Sequence, residues 1–325
     1  MNAIEVVGFG AMNMDLLYRV ERILTDGEAA VEEFRACPGG SAANTIYALA
    51  KLGVRAGFVG AVGDDEAGRT LLEDFQSVGV DTSQIAIRKE ARTGSALALT
   101  DREGNRALYV LPGANSLLAE QDLDLEYLNQ AKIIHLSSFV DDRQFELQKH
   151  ILGNLSSQPE VSFAPGALYV AKGLEALAPF LKRTDTLFLN REEAQKLTSE
   201  EFRAGADKCM ERGCQIVVVT LGKGVNMESH ARRAVCYIAT PDRSHLVEAQ
   251  QAPEPETEET TGAGDAFAAG FLYGILQGRE LAECGHLGDI MAQFSISQVG
   301  ARAGLPTFAQ LSQAYERLRG KPLYS

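Results

Sequence analysis

Residues 260–270 read T-T-G-A-G-D-A-F-A-A-G, and this stretch decides how the rest of the chain is interpreted. Its small residues allow a tight turn that leaves successive backbone N–H groups bare at the start of a helix. The turn therefore predicts an anion hole formed by Gly262, Ala263 and Gly264. Asp265 follows in the first helical turn, where a carboxylate can take a proton from an attacking hydroxyl. Taken alone, these residues also fit a glycine turn with a helix-capping aspartate.

A second glycine turn lies near the N-terminus, where residues 38–44 read P-G-G-S-A-A-N before an apolar stretch with helical spacing. Paired glycines let a ligand approach the backbone closely, so we expect Gly40 to line a binding site. We expect Ser41 to cap the helix, and Asn44 to offer its amide to sugar hydroxyls one turn later. Asp15 follows the first predicted strand, where a carboxylate can grip a vicinal diol. A plain strand–turn–helix junction and a turn-capping aspartate are the structural alternatives.

Two further motifs follow predicted strands in the second half of the chain. Asn190 and Glu193 are one helical turn apart, so both could reach water on a Mg²⁺ ion. A helix N-cap and its capping-box glutamate have the same spacing. Residues 220–224 read T-L-G-K-G, and Thr220 and Gly222 could either cradle nucleotide phosphates or form a tight turn.

Strand and helix patterns alternate along most of the chain, which predicts a mostly parallel sheet covered by helices on both faces. Two β-rich pieces, near residues 15–36 and 90–111, do not fit such a sheet and predict a small second β-layer. We therefore expect a single domain over residues 1–325, with a three-layer α/β/α architecture around a mostly parallel central sheet. Residues 248–260 are rich in Pro and Glu, and they predict a surface loop that leads into the glycine turn.

Composition excludes several classes of function. The 325 residues include 31 Lys or Arg and 44 Asp or Glu, so the formal net charge is −13. Such an acidic surface has no general attraction for nucleic acid or anionic lipid, and no apolar run approaches the length of a membrane span. Five scattered cysteines without a C-x-x-C pair indicate single thiols in a reducing compartment. We expect a cytoplasmic protein that acts on a small molecule, with neither nucleic acid nor a membrane as its partner.

Two familiar nucleotide-binding motifs are incomplete in this sequence. Residues 8–13 begin like the dinucleotide-binding pattern G-x-G-x-x-G but end in Asn13, and a β-type segment follows where a helix is required. The Walker A pattern does not occur, since Gly222 and Lys223 are followed by glycine and lack the upstream glycine. For the rival hypothesis, a nicotinamide-dependent oxidoreductase built on the first motif, we therefore expect no binding of the dinucleotide.

Taken together and in this order, the motifs resemble the ribokinase-like (PfkB) carbohydrate kinase family over nearly the whole chain. The glycine pair in residues 39–44 and the T-T-G-A-G-D-A-F run in residues 260–267 are the specific elements of the resemblance. It implies a ribokinase-like fold and ATP-dependent phosphorylation of a hydroxymethyl group on a sugar or sugar-like molecule. A nucleoside kinase with an adenosine-like acceptor is the alternative within this class. A nucleotide- or sugar-binding protein without activity is the alternative outside it.

The resemblance also implies roles for individual residues near the acceptor. Asp265 would deprotonate the acceptor hydroxyl, and the neighbouring turn would hold the transferring phosphate. The β-rich pieces would form a lid that closes over the sugar, and the chain would pair as a homodimer through that lid. The implied phosphate and acceptor contacts are Gly262, Ala263 and Gly264 for the phosphate, with Asp15, Gly40 and Asn44 for the acceptor.

On the nucleotide side, the resemblance implies that Thr220 and Gly222 line the ATP site. Asn190 would also contact the nucleotide, and together with Glu193 it would organise Mg²⁺ through water. Glu259 stands where the family usually carries an aspartate that helps to form a monovalent-cation site. The resemblance thus implies ATP and Mg²⁺, and it leaves K⁺ activation open because glutamate is one methylene longer.

Overall fold

The alternating segments of the sequence form strands and helices in a computed structural model that describes residues 4–226, 233–249 and 261–323. The strands in these residues are β1 (Val6–Phe9), β2 (Asn13–Val20), β3 (Val31–Gly39), β4 (Ala56–Gly63), β5 (Ile85–Arg88), β6 (Gly94–Asp101), β7 (Arg106–Leu111), β8 (Ile133–Ser137), β9 (Glu160–Ala164), β10 (Thr186–Asn190), β11 (Ile216–Asn226), β12 (Arg233–Ala239) and β13 (Ser244–Glu248). The α-helices are α1 (Ser41–Lys51), α2 (Glu66–Ser77), α3 (Leu125–Asn129), α4 (Asp142–Asn154), α5 (Gly166–Val170), α6 (Leu174–Leu181), α7 (Arg191–Thr198), α8 (Phe202–Glu211), α9 (Ala263–Leu276), α10 (Leu281–Ser295) and α11 (Phe308–Arg319).

Nine of the described strands form the central sheet, in the order β13-β12-β11-β10-β9-β8-β1-β4-β5. The strands from β11 through β5 run parallel, while β12 and β13 add an antiparallel edge. Consecutive residues of one strand face opposite sides of the sheet, so Val6 of β1 packs into one hydrophobic core and Val7 into another. The first core includes residues of α1, α9 and α10, and the second includes residues of α4, α6 and α8. The predicted three-layer α/β/α fold is confirmed.

Four of the described strands form a separate sheet in the order β3-β2-β6-β7, here called the lid sheet. Strand β2 pairs antiparallel with β3 and parallel with β6, and β6 pairs antiparallel with β7. The two β-rich pieces that the central sheet could not accommodate therefore pair with each other. Because β2 follows β1 directly, a strand and not a helix comes after the first glycines, unlike in dinucleotide-binding folds.

Two local expectations about turns are wrong. Helix α1 begins at Ser41 and its N-cap is Gly40, whose φ of 97° is readily adopted only by glycine. The N-cap therefore lies one residue before the predicted position at Ser41, and the Ser41 hydroxyl does not cap the helix. The sequence predicts that the strand ends before the T-L-G-K-G segment, whether that segment cradles phosphates or forms a tight turn, yet β11 continues through it to Asn226. Its pairing with β12 changes register between Thr220 and Val225, so the glycines distort the strand without ending it.

The described residues contain no helix with both the length and the apolar character that crossing a bilayer requires. Cys209, Cys214, Cys236 and Cys284 are buried single thiols, as the sequence predicts. Burial raises the pKa of Cys209 and of Cys284 to about 12, so these thiols are not ionised near neutral pH. They therefore serve as small apolar groups of the core.

Candidate active site

Asp265 lies where the start of α9 meets the start of α1. One of its carboxylate oxygens accepts a hydrogen bond from the Ser41 hydroxyl at 2.7 Å, and the other accepts one from the Asn44 amide at 2.9 Å. The Thr45 hydroxyl donates to the backbone carbonyl of Asp265 at 3.2 Å. The N-cap of α9 is Gly262, so the carboxylate of Asp265 is directed to the neighbouring helix and does not cap its own. The helix-capping alternative is therefore wrong.

Burial raises the pKa of Asp265 to about 6. The hydrogen bonds from Asn44 and Ser41 and the positive charge of Arg302 favour the ionised form, while the negative charge of Glu193 disfavours it. The carboxylate is thus ionised at neutral pH, with a pKa close enough to neutrality to accept a proton in a reaction. These are the electrostatic requirements of a general base.

Arg302, which lies between α10 and α11, is a site residue that the sequence analysis missed. Its side chain is only 6% exposed. Its Nε donates to the Asn44 amide oxygen at 2.9 Å, and one terminal nitrogen donates to the Gly39 carbonyl at 3.1 Å. The other terminal nitrogen pairs with Asp74 of α2 at 2.5 Å. A lone arginine among small residues in G-A-R-A-G-L-P was the available sequence signal, and it did not reveal these partners.

The residues expected to hold the acceptor gather around this arginine. Asp15 is buried on β2, and its negative charge acts on Arg302. A side chain at Gly39 would overlap the Asp15 carboxylate, and one at Gly40 would overlap the Ala11 carbonyl. The two glycines therefore allow a close approach between β3, β2 and the segment after β1. Their contact with an acceptor stays a prediction.

Open space lies beside the glycine turn at the start of α9. A methyl group placed on Gly264 would meet none of the described atoms within 4 Å, and this residue is exposed. The N-cap Gly262 has a φ of 81°, which favours glycine, and Ala263 begins the helix. The Thr261 hydroxyl beside the turn accepts a hydrogen bond from Arg106 of the lid strand β7. The turn thus combines a helix N-terminus with open space, and its binding of an anion stays a prediction.

Asn190 and Glu193 form a reciprocal capping box at the start of α7. The Asn190 side-chain oxygen accepts from the Glu193 backbone N–H at 2.8 Å, and the Glu193 carboxylate accepts from the Asn190 N–H at 2.9 Å. The capping box that the same spacing predicts is therefore present in the structure. Burial raises the pKa of Glu193, and its negative charge in turn raises the pKa of Asp265 at the start of α9.

The residues present fit a Mg²⁺ ion that is bound mainly by phosphates and water. The described residues hold no group of three or more His, Cys, Asp or Glu side chains able to bind a metal directly. Capping uses only part of the acceptor capacity of the Glu193 carboxylate, which can still contact metal-bound water. Such indirect binding is usual for Mg²⁺ on nucleotide phosphates.

Thr220 lies beside Asn190, because the two residues are register partners on β11 and β10. Gly222 follows with a φ of 57°, is exposed, and would accept a side chain without meeting a described atom within 4 Å. This places Thr220 and Gly222 at the carboxyl end of the parallel sheet, where α/β folds bind ligands. Glu259 lies outside the described residues, so the expected cation site stays a prediction.

Comparison with known proteins gives consistent matches over nearly the whole chain. A family model described as pfkB family carbohydrate kinase matches residues 3–308. A protein of Archaeoglobus fulgidus named as an uncharacterized sugar kinase is 40% identical over 79% of this chain and 98% of its own length. An ATP-dependent ribose-1-phosphate kinase of Halopiger xanaduensis is 30% identical over 92% of this chain and 94% of its own.

Solved structures share the fold at lower sequence identity. The nucleoside kinase of Methanocaldococcus jannaschii superposes with a TM-score of 0.80 at 24% identity, over 98% of this chain and 100% of its own. The ribokinase of Arabidopsis thaliana, solved with ribose and ATP, has a TM-score of 0.78 at 23% identity, over 96% and 98%. The two-sheet architecture described above is therefore the ribokinase-like fold.

Proposed function

Because the chain belongs to the pfkB family of carbohydrate kinases, we propose that Asp265 is the base through which ATP phosphorylates a hydroxymethyl group of a sugar or sugar-like molecule. The observation that carries this proposal is the Asp265 carboxylate itself. It is held by Ser41 and Asn44, its pKa is raised to about 6, and it adjoins an open glycine turn at a helix N-terminus. A binding protein without activity has no need for a base at that position.

In the proposed reaction the acceptor hydroxyl gives its proton to a carboxylate oxygen of Asp265. The hydroxyl oxygen forms a bond to the γ-phosphorus of ATP while the bond to the bridging oxygen breaks, and ADP leaves. The backbone N–H groups of residues 262–264 stabilise negative charge on the transferring phosphoryl group. Asp15, Gly40 and Asn44 hold the acceptor in line, and such positioning supplies much of the rate in phosphoryl transfer.

On the nucleotide side, we assign Thr220 and Gly222 to ATP, and Asn190 with Glu193 to the water shell of a Mg²⁺ ion. When bound, Mg²⁺ neutralises charge on the β- and γ-phosphates. The Glu193 carboxylate would accept hydrogen bonds from water bound to that ion. A monovalent-cation site at Glu259 is part of the same proposal.

The acceptor class is proposed from the relatives. The Archaeoglobus protein, 40% identical, is named as a sugar kinase, and this favours a sugar acceptor. The Methanocaldococcus structure is a nucleoside kinase and keeps a nucleoside acceptor as the second candidate. The Halopiger protein acts on ribose 1-phosphate, so a phosphorylated sugar belongs among the acceptors to be tested.

The test is a coupled ADP-release assay with ATP and Mg²⁺, run with and without K⁺. The acceptors are ribose, fructose, 2-keto-3-deoxygluconate, ribose 1-phosphate, adenosine and cytidine, and Asp265→Asn supplies the background rate. We expect one sugar to be turned over well above that background. Turnover of a nucleoside alone would replace the sugar assignment, and no turnover with ATP binding intact would contradict the proposal.

We also propose that the lid sheet closes over the acceptor and joins two copies of the chain. Leu108 and Tyr109 are neighbours on β7 and face opposite sides of the strand, yet each is 65% exposed. Phe34 on β3 is 54% exposed. One face of the lid can therefore meet the acceptor while the other packs against a second lid. Sedimentation of the wild type should show a dimer. The variants Leu108→Lys and Tyr109→Lys, one for each face of β7, should show which face holds the dimer together, because a charge on that face should give monomers. A monomeric wild type would contradict the proposal.

A further inference from the structure

Arg302 is a buried cation held at several points in the first hydrophobic core. Asp74 pairs with one of its terminal nitrogens, and the Gly39 carbonyl accepts from the other. Its guanidinium carbon lies 5.1 Å from the ring centres of both Tyr47 and Phe75. These contacts leave the guanidinium little freedom to rotate. The third nitrogen, Nε, is thereby directed at the Asn44 amide oxygen.

The Asn44 side chain lies between Arg302, which can only donate hydrogen bonds, and Asp265, which can only accept them when it is ionised. Arginine carries donors alone, and an ionised carboxylate carries acceptors alone. With its oxygen towards Arg302, Asn44 presents its NH₂ group to Asp265 and both contacts are hydrogen bonds. A flipped amide would place NH₂ against the guanidinium and oxygen against the carboxylate, so both contacts would be repulsive. Arg302 therefore selects the orientation of the Asn44 amide.

We propose that Arg302 is a positioning residue, which orients the Asn44 amide so that Asn44 holds the Asp265 carboxylate in place for proton transfer. The proposal rests on the proposed role of Asp265 as base. Without Arg302, only the Asp265 carboxylate disfavours the flipped amide, so the Asn44 donor that helps to fix the carboxylate is held less firmly. Catalytic groups misplaced by about 1 Å can lose roughly a hundredfold in rate.

The charges around the two groups support a second, electrostatic effect of Arg302. Among the described residues, the charges of Glu193 on α7 and of Arg302 both act on Asp265, and they oppose each other. Arg302 itself faces Asp74 on α2 and Asp15 on β2. Replacing Arg302 by a neutral residue removes a positive charge that favours the ionised carboxylate, while the opposing charge of Glu193 stays. The proton is then held more tightly, so the acid limb of the pH–rate profile moves to higher pH.

The test compares Arg302→Gln and Arg302→Lys with the wild type, each alone and in an Asn44→Ala background. We expect Arg302→Gln to lower kcat roughly tenfold to a hundredfold in the wild-type background. In the Asn44→Ala background the same change should cost no more than about threefold, because the amide through which Arg302 acts is gone. Arg302→Lys keeps the charge, so its acid limb should stay near that of the wild type even where kcat falls.

A distant core variant, Phe180→Leu, is the control for loss of stability alone. Phe180 is fully buried in the second core, away from Arg302. We expect this change to lower Tm while leaving the pH profile unaltered. If Arg302→Gln costs the same factor in both Asn44 backgrounds, or if its acid limb stays in place, Arg302 has no positioning role.

Titration of Asp265 by ¹³C NMR separates this inference from the proposed function. The carboxylate signal is assigned by its loss in Asp265→Asn, and no acceptor is required. We expect the midpoint to lie near pH 6 in the wild type and about one pH unit higher in Arg302→Gln. A shifted midpoint in a protein that phosphorylates none of the acceptors would overturn only the function. An unshifted midpoint in an active kinase would overturn only the role of Arg302.

Discussion

The acceptor side and the nucleotide side of the site are built in different ways. On the acceptor side, side chains from distant parts of the chain bond to one another, as Ser41, Asn44 and Arg302 do around Asp265. On the nucleotide side, Asn190 and Glu193 bond to each other, and exposed glycines border open space. The acceptor side is thus preorganised, whereas the nucleotide side offers room and backbone donors. Substitutions around Asp265 should therefore act through side-chain chemistry, and those at the exposed glycines should act through the space that they occupy.

The largest effect is expected from Asp265→Asn. An asparagine cannot take the proton of the acceptor, so kcat should fall by about a thousandfold or more. The change adds no bulk near the nucleotide, so the Kd for ATP should stay within about twofold of the wild type. Single-turnover kinetics and calorimetric titration with ATP measure the two quantities separately. A variant that retains more than a tenth of the wild-type kcat would break the assignment of the base.

Gly264→Ala should have the next largest effect, through space alone. The added methyl group meets no described atom within 4 Å, and alanine favours helix by about 1 kcal/mol over glycine, so Tm should not fall. If the γ-phosphate occupies that space, kcat/KM for ATP should fall roughly a hundredfold.

The matched control for this prediction is Gly153→Ala. Gly153 lies in α4 and likewise has no described atom within 4 Å of an added methyl group. It should gain similar stability and keep full activity. Unchanged activity in Gly264→Ala would place the phosphate away from the turn.

A smaller effect is expected from Glu193→Gln. Glutamine can still accept the Asn190 backbone N–H, so the capping box and the fold should persist. The negative charge that orients the Mg²⁺ water shell is lost, so the Mg²⁺ concentration for half-maximal rate should rise roughly tenfold. Glu192→Gln removes the same charge from the exposed neighbour and should leave that concentration unchanged. Equal behaviour of the two variants would reduce Glu193 to a capping residue.

The sequence could predict the features that depend on local signals, but not the contacts between distant parts of the chain. The parallel sheet and the turn before α9 were predictable, because strand periodicity and small residues at a helix start are local signals. Local spacing could not separate capping from metal binding at Asn190 and Glu193, since both uses need one helical turn. Arg302 could not be predicted, because it meets Asn44 across 258 positions of the chain. Only the fold brings them together.

The smallest expected effect is on the free energy of unfolding, which depends on pH because Asp265 has a raised pKa in the folded chain. The pKa of Asp265 is about 6 in the folded chain against 3.8 for a free aspartate, so between these values the folded state binds a proton that the unfolded state has lost. The wild type therefore loses stability as pH rises from about 4 to 6, and the loss is complete above that window.

Asp265→Asn has no such titration, so it isolates this contribution. Its free energy of unfolding relative to the wild type should rise by about 2 kcal/mol between pH 4 and pH 7, after a discount for partial exposure. Urea unfolding of both proteins at each pH measures the difference, and titrations elsewhere in the chain cancel. A difference that stays constant with pH would mean that Asp265 ionises as freely in the fold as in water. The acceptor side would then be no more preorganised, electrostatically, than the nucleotide side.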